Sequence, residues 1–275
     1  MLSRIADLFL YTSLYTACCA MGLCMATERL IIGCPPPIVS KLHLLVFGST
    51  LLVYNTPRVI RRPNTGNPLK QQYRQWHSFL FLAGFVMAVV GIWGQPPVLQ
   101  LASFTLSIFA FAYFLPLLPF ENKKRLRDFG WLKIIVLAGV WTTATSVLPI
   151  LYWQKDISSY PIEILIRLMF IFTLCVIFDI RDIRADITNN INTLPNKVGL
   201  RNSYLLINFT LLVFVALCIL QYFRYPSVTR LVGALITAVI TRGIVTYLRR
   251  HPSEKAYLAL ADGVMIIYAA LVLLG

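Results

Sequence analysis

Nine long apolar segments account for most of this chain and leave little sequence between them. Their approximate bounds are 5–27, 39–56, 76–94, 98–120, 131–153, 160–180, 203–223, 228–248 and 256–274. Each is close to the roughly 20 apolar residues that a helix needs to cross the hydrocarbon core of a bilayer. Because 58% of the 275 residues are hydrophobic and only 13% are charged, the composition excludes a soluble domain. The pattern predicts an all-α, polytopic membrane protein with nine transmembrane helices in a single domain, 1–275.

The distribution of Lys and Arg predicts which side of the membrane each loop faces. If the N-terminus is cytoplasmic, most basic residues fall in loops on that side, and only five fall in loops on the other side. Those five are Arg29, Lys41, Lys155, Arg224 and Arg230. The positive-inside rule therefore places the N-terminus and the loop after the sixth segment in the cytoplasm, and the C-terminus outside. The net charge of +14 follows from this topology, so we expect membrane lipids as partners and no nucleic acid.

The acidic run DIRDIRAD follows the sixth segment and carries the first indication of chemistry. On a helix, Asp179, Asp182 and Asp186 are spaced i, i+3 and i+7, so they share one face. Three neighbouring carboxylates repel one another unless a cation joins them, and Mg²⁺ is commonly shared between carboxylates and the phosphates of a substrate. The alternative is a solvated helix end whose acids are balanced by Arg181 and Arg184. From spacing alone, both interpretations stay open.

The residues after the aspartates extend this pattern to DIRDIRADITNNINTLPNKVGLRNS, 179–203. The stretch resembles the second aspartate motif of the UbiA-type intramembrane prenyltransferases, Asp-x-x-Asp-x-x-x-Asp followed by a Thr-Leu-Pro turn and a Gly. The matching positions are Asp179, Asp182, Asp186, Thr193, Leu194, Pro195 and Gly199. YFLPLLPF at 113–120, LRDFGWLK at 126–133 and VWTTATSVLP at 140–149 also resemble the stretch after the fourth span of that family.

The resemblance implies both an architecture and a reaction. It implies nine helices around a central cavity that opens toward the cytoplasm. The reaction is transfer of a prenyl group from a polyprenyl diphosphate to a lipophilic acceptor, expected to be aromatic. Asp179, Asp182 and Asp186 would be the catalytic residues, and they would hold the Mg²⁺ cofactor on the diphosphate. Two alternatives stay open: a terpene cyclase or diphosphate lyase, and a non-catalytic protein that binds an isoprenoid or scaffolds a partner.

The first aspartate motif of the family is degenerate in this chain. That motif resembles Asn-x-x-x-Asp-x-x-x-Asp, whereas the corresponding stretch here is YNTPRVIRRP, 54–63. Asn55 is retained, but Val59 and Pro63 stand at the aspartate positions. The sequence contains no acidic residue between Glu28 and Glu121, so realignment does not restore the missing carboxylates. Pro57 also predicts an interrupted helix at this point.

Basic residues lie beside the positions of the missing acids and are candidate contacts for a diphosphate. Guanidinium groups donate bidentate, charge-assisted hydrogen bonds to phosphate oxygens. We expect the diphosphate to be bound by Asn55, Arg58, Arg62, Lys123 and Lys133. The alternative is that these cations are ordinary positive-inside residues at the lipid headgroups.

Polar residues within the apolar segments complete the candidates. Arg167, Glu163 and Asp262 are costly inside a membrane, and we expect a structural ion pair between Asp262 and Arg242. His77 begins the third segment and is expected to be an interfacial anchor.

The six cysteines show no Cys-x-x-Cys spacing, and His43 and His251 fall in loops on opposite sides. Neither residue type suggests a metal site from the sequence.

Overall fold

The computed structural model describes residues 8–60, 74–115, 125–188 and 191–274. Within these ranges the regular structure is helical, and nine helices are long enough to span a bilayer. They are α1 (Leu14–Ile32), α2 (Lys41–Ile60), α3 (Arg74–Ile92), α4 (Pro97–Phe114), α5 (Leu132–Tyr152), α6 (Pro161–Thr188), α7 (Leu194–Arg224), α8 (Val228–Arg250) and α9 (Glu254–Leu273). The predicted all-α, multi-pass membrane architecture is confirmed.

Eight of the nine helices are both long and apolar enough to cross a membrane. The exception is α2, which has the length, 20 residues, but carries polar and charged side chains that reduce its mean hydropathy. The predicted count of nine transmembrane helices is therefore not confirmed. The prediction that Pro57 interrupts a helix is wrong, because Pro57 lies inside α2, which continues to Ile60.

The helices form a closed bundle in which α9 returns to α1. Consecutive helices from α4 to α9 contact one another, α1 contacts α2, and α2 contacts α4. The remaining helix, α3, packs along α2. Because α9 packs against α1, the two ends of the described chain are held together.

Small residues explain the tight contact between α2 and α3. A Cβ added at Gly91 would lie 2.5 Å from the backbone nitrogen of Leu45, and one added at Gly84 would lie 2.7 Å from the carbonyl oxygen of Gly48. Real Cβ contacts are not this short, so the two backbones approach as closely as they do only because side chains are absent. Close backbone approach through small residues is a common way to associate helices in lipid, where the hydrophobic effect does not drive helices together.

Two helices contain a wide, π-helical turn, and α1 packs against both. The first turn is Thr143–Val147 in α5, where the carbonyl of Thr145 accepts a hydrogen bond from the hydroxyl of Thr27 at 2.8 Å. The second is Tyr257–Ala261 in α9, where the carbonyl of Ala259 accepts one from the hydroxyl of Tyr15 at 3.1 Å. A π turn disturbs the regular backbone bonding of a helix, so side chains of α1 supply partners in its place.

Candidate active site at the end of α6

The three aspartates lie on the last turns of α6, which continues beyond its predicted apolar end at 180 to Thr188. Asp179 and Asp186 are buried, with 2% and 7% of their surfaces exposed, and Asp182 is half-buried. The structure therefore does not show a fully solvated helix end.

Lys133, near the start of α5, bridges two of the aspartates. Its Nζ lies 2.8 Å from Oδ1 of Asp179 and 3.2 Å from Oδ2 of Asp186. The remaining carboxylate, Asp182, accepts hydrogen bonds from Arg181 at 2.7 and 2.9 Å. Carboxylates that would repel one another are thus held together by cations of the protein itself.

One oxygen in this cluster lacks a partner. Oδ2 of Asp179 is buried and makes no hydrogen bond to any described residue. A buried carboxylate oxygen without a donor or a cation is destabilising, so such an atom usually has a ligand or an ordered water. Two more buried oxygens, Oγ1 of Thr193 before α7 and Oδ1 of Asn196 in its first turn, make no hydrogen bond within the described part of the chain.

A close backbone contact sets the position of Lys133. Gly130, just before α5, has φ of 51°, and a Cβ added there would lie 2.3 Å from the carbonyl oxygen of Asn192. Asn192 belongs to the turn after α6, in which the N–H of Ile191 donates to the carbonyl of Asp186 at 2.8 Å. The start of α5 therefore packs against the turn that follows α6. This packing places Lys133 next to the carboxylates of Asp179 and Asp186.

The loop before α5 carries an internal ion pair. Arg125 donates two side-chain hydrogen bonds to Asp128, at 2.9 and 2.8 Å. Partial burial raises the pKa of Asp128, but the hydrogen bonds and charge of Arg125 outweigh that effect and hold the pKa below its usual range. The pair keeps this short loop in a fixed shape next to Lys133.

Asn55, the retained residue of the first motif, is fully buried and bonded to the protein. Its Nδ2 donates to the carbonyls of Thr12 at 3.2 Å and Leu51 at 2.8 Å, and its Oδ1 lies 2.8 Å from Nδ1 of His77. His77 is only 8% exposed, so its prediction as an interfacial anchor is wrong. An imidazole that hydrogen-bonds a buried amide is held inside the bundle.

The basic residues predicted to bind diphosphate are only partly described. Arg58 is exposed at the end of α2, where its guanidinium donates to the carbonyl of Tyr11. Arg62 and Lys123 lie outside the described residues. Of the three predicted phosphate contacts that the structure describes, Lys133 contacts the aspartates, whereas Asn55 and Arg58 bond to other groups.

Aromatic residues of α2, α4 and α5 form a cluster that sequence reasoning did not single out. The ring of Tyr54 lies 5.3 Å from that of Phe114 and 6.4 Å from that of Trp141, and its hydroxyl accepts a hydrogen bond from Nε1 of Trp141 at 3.1 Å. The ring of Tyr113 lies 4.9 Å from that of Phe114. Trp141 is about two helical turns from Lys133 on α5, so its ring lies about 12 Å along that helix from the charged group.

Asp262 does not pair with Arg242, so that prediction is wrong. Its Oδ2 accepts a hydrogen bond from the hydroxyl of Thr16 at 3.3 Å, and Arg242 instead donates to the hydroxyl of Thr246 at 2.5 Å. Thr16 lies on α1, which packs against α9, so the hydrogen-bond partner of Asp262 comes from α1.

Arg167 and Glu163 form a buried ion pair at 3.1 Å, one turn apart on α6. Nη2 of Arg167 also donates to the hydroxyl of Thr27 at 2.9 Å, and Gln221 donates to Glu163 at 3.0 Å. This pair begins α6, whereas the aspartates end it, so the two groups lie at opposite ends of the helix.

Comparisons with known proteins bear on this arrangement. The sequence matches no protein-family profile. A digeranylgeranylglyceryl phosphate synthase of Sulfurisphaera tokodaii is 26% identical over 222 residues, which cover 76% of this chain and 71% of that protein.

Two solved structures resemble the bundle. A UbiA homologue from Archaeoglobus fulgidus bound to Cd²⁺ superposes with a TM-score of 0.68 at 10% identity and covers 98% of each chain. A UbiA homologue from the same organism bound to GPP and Mg²⁺ superposes with a TM-score of 0.61 at 11% identity, over 98% of this chain and 100% of that one. At these identities the two structures bear on the fold alone.

Proposed function

We propose that this chain, whose fold resembles that of the UbiA homologues, transfers a prenyl group from a polyprenyl diphosphate to a lipophilic acceptor. One solved relative binds GPP and Mg²⁺, and the curated relative is a digeranylgeranylglyceryl phosphate synthase, which supports a prenyl diphosphate as the substrate. The observation that carries the proposal is the cluster of three aspartates at the end of α6, in which one buried oxygen of Asp179 has no partner among the residues that the structure describes.

The donor set of this cluster fits Mg²⁺. Asp179, Asp182 and Asp186 offer only carboxylate oxygens, which are the ligands that this hard cation prefers. Oδ2 of Asp179, which no described residue contacts by a hydrogen bond, is an acceptor that a cation would satisfy. We propose that the three aspartates hold Mg²⁺ against the diphosphate. When bound, the ion would neutralise the diphosphate and stabilise the pyrophosphate that leaves.

Lys133 supplies a positive charge at the same place. Its ammonium group sits on a flexible four-carbon stem, so it can turn from the carboxylates to a phosphate oxygen when a divalent cation binds them. We propose that Lys133 and Arg58 compensate in part for the missing acidic motif by binding the diphosphate directly. Arg62 and Lys123 remain proposed contacts of the same kind, and Asn55 would first have to exchange one of its present hydrogen bonds.

The reaction that follows is ionisation and capture. The bond between the allylic carbon and the diphosphate oxygen breaks, pyrophosphate leaves with both electrons, and an allylic cation remains. The rings of Tyr54, Phe114 and Trp141 would face such a cation with their electron-rich π surfaces and stabilise it by roughly 0.5–2 kcal/mol per contact. The acceptor then attacks the cation and loses a proton.

Two classes of acceptor are candidates. The sequence favours an aromatic compound, by resemblance to the family. The second candidate is a lipid built on glyceryl phosphate, which is favoured by the name of the curated relative and by Arg58, Arg61 and Arg62, which lie beside the positions of the missing acids. Both classes are lipophilic, and only the second carries a phosphate that these arginines would bind.

The test of the proposal is release of pyrophosphate by the purified protein in lipid nanodiscs. With Mg²⁺, geranylgeranyl diphosphate and either acceptor, we expect turnover that stops when EDTA removes the metal. Asp182→Asn should lower turnover about 100-fold or more, because it removes a charge that helps to stabilise the transition state. Asp156→Asn is the matched control, since Asp156 is an exposed carboxylate in the loop between α5 and α6. No release with any acceptor at any Mg²⁺ concentration would refute the proposal.

Analysis of the products separates the alternatives. A cyclase or lyase releases pyrophosphate and a hydrocarbon or alcohol from the diphosphate alone, whereas a transferase needs the acceptor. A non-catalytic protein binds the diphosphate but releases nothing, and its cellular role survives Asp182→Asn. The proposed orientation, with the aspartates in the cytoplasm, is checked separately by labelling single cysteines introduced at Asp156 and at Asn202 in sealed cells.

A further inference from the structure

A second cluster of metal-binding side chains lies between α1 and α2. Cys24 and Glu28 are one helical turn apart on α1, and His43 faces them from the first turn of α2. All three are buried, with 0%, 0% and 1% of their surfaces exposed. One ligand atom from each residue lies within 4.8 Å of the other two.

The contacts inside this cluster leave ligand capacity unused. Oε2 of Glu28 lies 2.5 Å from Nε2 of His43, and its other oxygen, Oε1, accepts a hydrogen bond from the indole of Trp153 at 2.9 Å. Nδ1 of His43 is buried and has no partner among the described residues. The nitrogen that faces the cluster is Nε2, which shares a proton with the Glu28 carboxylate in this short contact. A metal ion can replace that proton between the imidazole and the carboxylate, and the thiol of Cys24 lies close enough to be a third ligand.

We propose that Cys24, Glu28 and His43 bind a divalent transition-metal ion such as Zn²⁺. Thiolate and imidazole ligands favour zinc over magnesium or calcium. Charge supports the same assignment, because one thiolate and one carboxylate balance a divalent ion, and a neutral set costs least to bury in an apolar interior. Three protein donors leave one tetrahedral position for a water molecule.

Trp153, directly after the end of α5, adds a hydrogen bond to the site. Ligating carboxylates in proteins are usually oriented by hydrogen bonds from outside the coordination sphere, and the indole N–H makes such a bond to Glu28. Trp153 follows α5 directly, so an ion here would tie α1, α2 and the end of α5 together.

This site is separate from the aspartate cluster. Trp153 belongs to the connection that leads into α6 at Pro161, and Asp179 lies 18 residues further along that helix. At 1.5 Å per residue the separation along the axis is about 27 Å. The inference therefore stands whether or not the proposed reaction is correct, and binding is measured without turnover.

Cobalt provides the test, because a thiolate bound to Co²⁺ gives a charge-transfer absorption band that oxygen ligands do not give. Wild-type protein, purified with EDTA and returned to metal-free buffer, is titrated with Co²⁺ and then with Zn²⁺. We expect one equivalent of thiolate-bound Co²⁺, displaced by one equivalent of Zn²⁺. Asp182→Asn should leave this band unchanged, which separates the site from the proposed Mg²⁺ site.

Three variants test which residues bind the Co²⁺ that gives this absorption band. Cys24→Ser removes the thiolate with little change of volume and should abolish the band, whereas Cys34→Ser, which alters an exposed cysteine, should keep it. Trp153→Phe should weaken Co²⁺ binding by about 10–100-fold by removing the bond to Glu28. If wild-type protein shows no stoichiometric thiolate band, or if Cys34→Ser removes it and Cys24→Ser does not, the proposal is wrong. Even if Cys24→Ser fails to fold, the titration of the wild-type protein shows whether a thiolate binds Co²⁺.

Discussion

Lys133→Gln should destabilise the protein by removing the counterion that Asp179 and Asp186 share. Lys133 and its two partners are largely buried, with 12%, 3% and 10% of the side chains of Lys133, Asp179 and Asp186 exposed. Removing one partner from a buried ion pair leaves an uncompensated charge and typically costs about 3–5 kcal/mol. We therefore expect the variant to be destabilised by about that amount when no divalent cation is present.

The same variant should respond more strongly to Mg²⁺ than the wild type. In the wild type, a divalent ion competes with the ammonium group of Lys133 for the carboxylates. In Lys133→Gln the ion has no such competitor, and its binding neutralises the buried carboxylates that the substitution leaves without a counterion. We expect addition of Mg²⁺ to raise the melting temperature of the variant by more than that of the wild type, because a ligand that binds only the folded state stabilises it.

The assay is thermal unfolding in nanodiscs across a Mg²⁺ titration, with Lys155→Gln as the control. Lys155 is exposed in the loop between α5 and α6, so its loss should change neither stability nor the Mg²⁺ response. If Lys133→Gln unfolds at the same temperature as Lys155→Gln and responds to Mg²⁺ equally, Lys133 does not act as the counterion of the aspartates.

Two further predictions concern packing and pH. Gly91→Leu should separate α2 from α3 and lower the free energy of unfolding by at least roughly 1–3 kcal/mol. Gly243→Leu should not, because open space surrounds Gly243. Thermal unfolding of the two variants tests this difference. Asp128 has a lowered pKa, so its ion pair stabilises the folded loop above the unfolded-state pKa of about 3.9 and loses that effect as the pH falls through the lower, folded-state value. The difference in melting temperature between wild type and Asp128→Asn should therefore be present at pH 6 and shrink steadily below pH 4.

Apolar length predicted the helices well but not their ends. The sixth segment was expected to stop at 180, whereas α6 runs to Thr188. The seventh was expected to begin at 203, whereas α7 begins at Leu194 and contains a kink at Gly199, which has φ of 81°. Hydropathy registers only the part of a helix that lies in lipid. Charged residues continue a helix into the headgroup region, and this extension is what carries Asp182 and Asp186.

The composition of the aspartate cluster was predictable, but its contacts were not. Spacing places Asp179, Asp182 and Asp186 on one face of a single helix, which is a local property. The bridge from Lys133 depends on how α5 is seated on the turn after α6, through the contact of Gly130 with Asn192. Such a contact joins residues more than 60 positions apart, and nothing in the local pattern predicts it.

The histidines show the same limit. His77 was assigned to the membrane interface because it begins an apolar segment beside Trp76, yet it bonds Asn55 of the preceding helix. His43 and Cys24 have no metal-binding spacing in the sequence and come together only through the packing of α1 against α2. A side chain on one helix acquires its partner from the neighbouring helix, and the partner is decided by packing.

The wide turn in α5 has a consequence for helical phase. Lys133 near the start of α5 contacts the aspartates, and Trp153, directly after its end, contacts Glu28, with Thr143–Val147 between them. Each residue of an α-helix advances the chain by about 100° around the axis. Deleting one residue from the wide turn would rotate one end of α5 relative to the other by about that angle. Either the ammonium group of Lys133 would then lose contact with the carboxylates or the indole of Trp153 would lose contact with Glu28. The wide turn is therefore needed for both ends of α5 to face their partners at the same time.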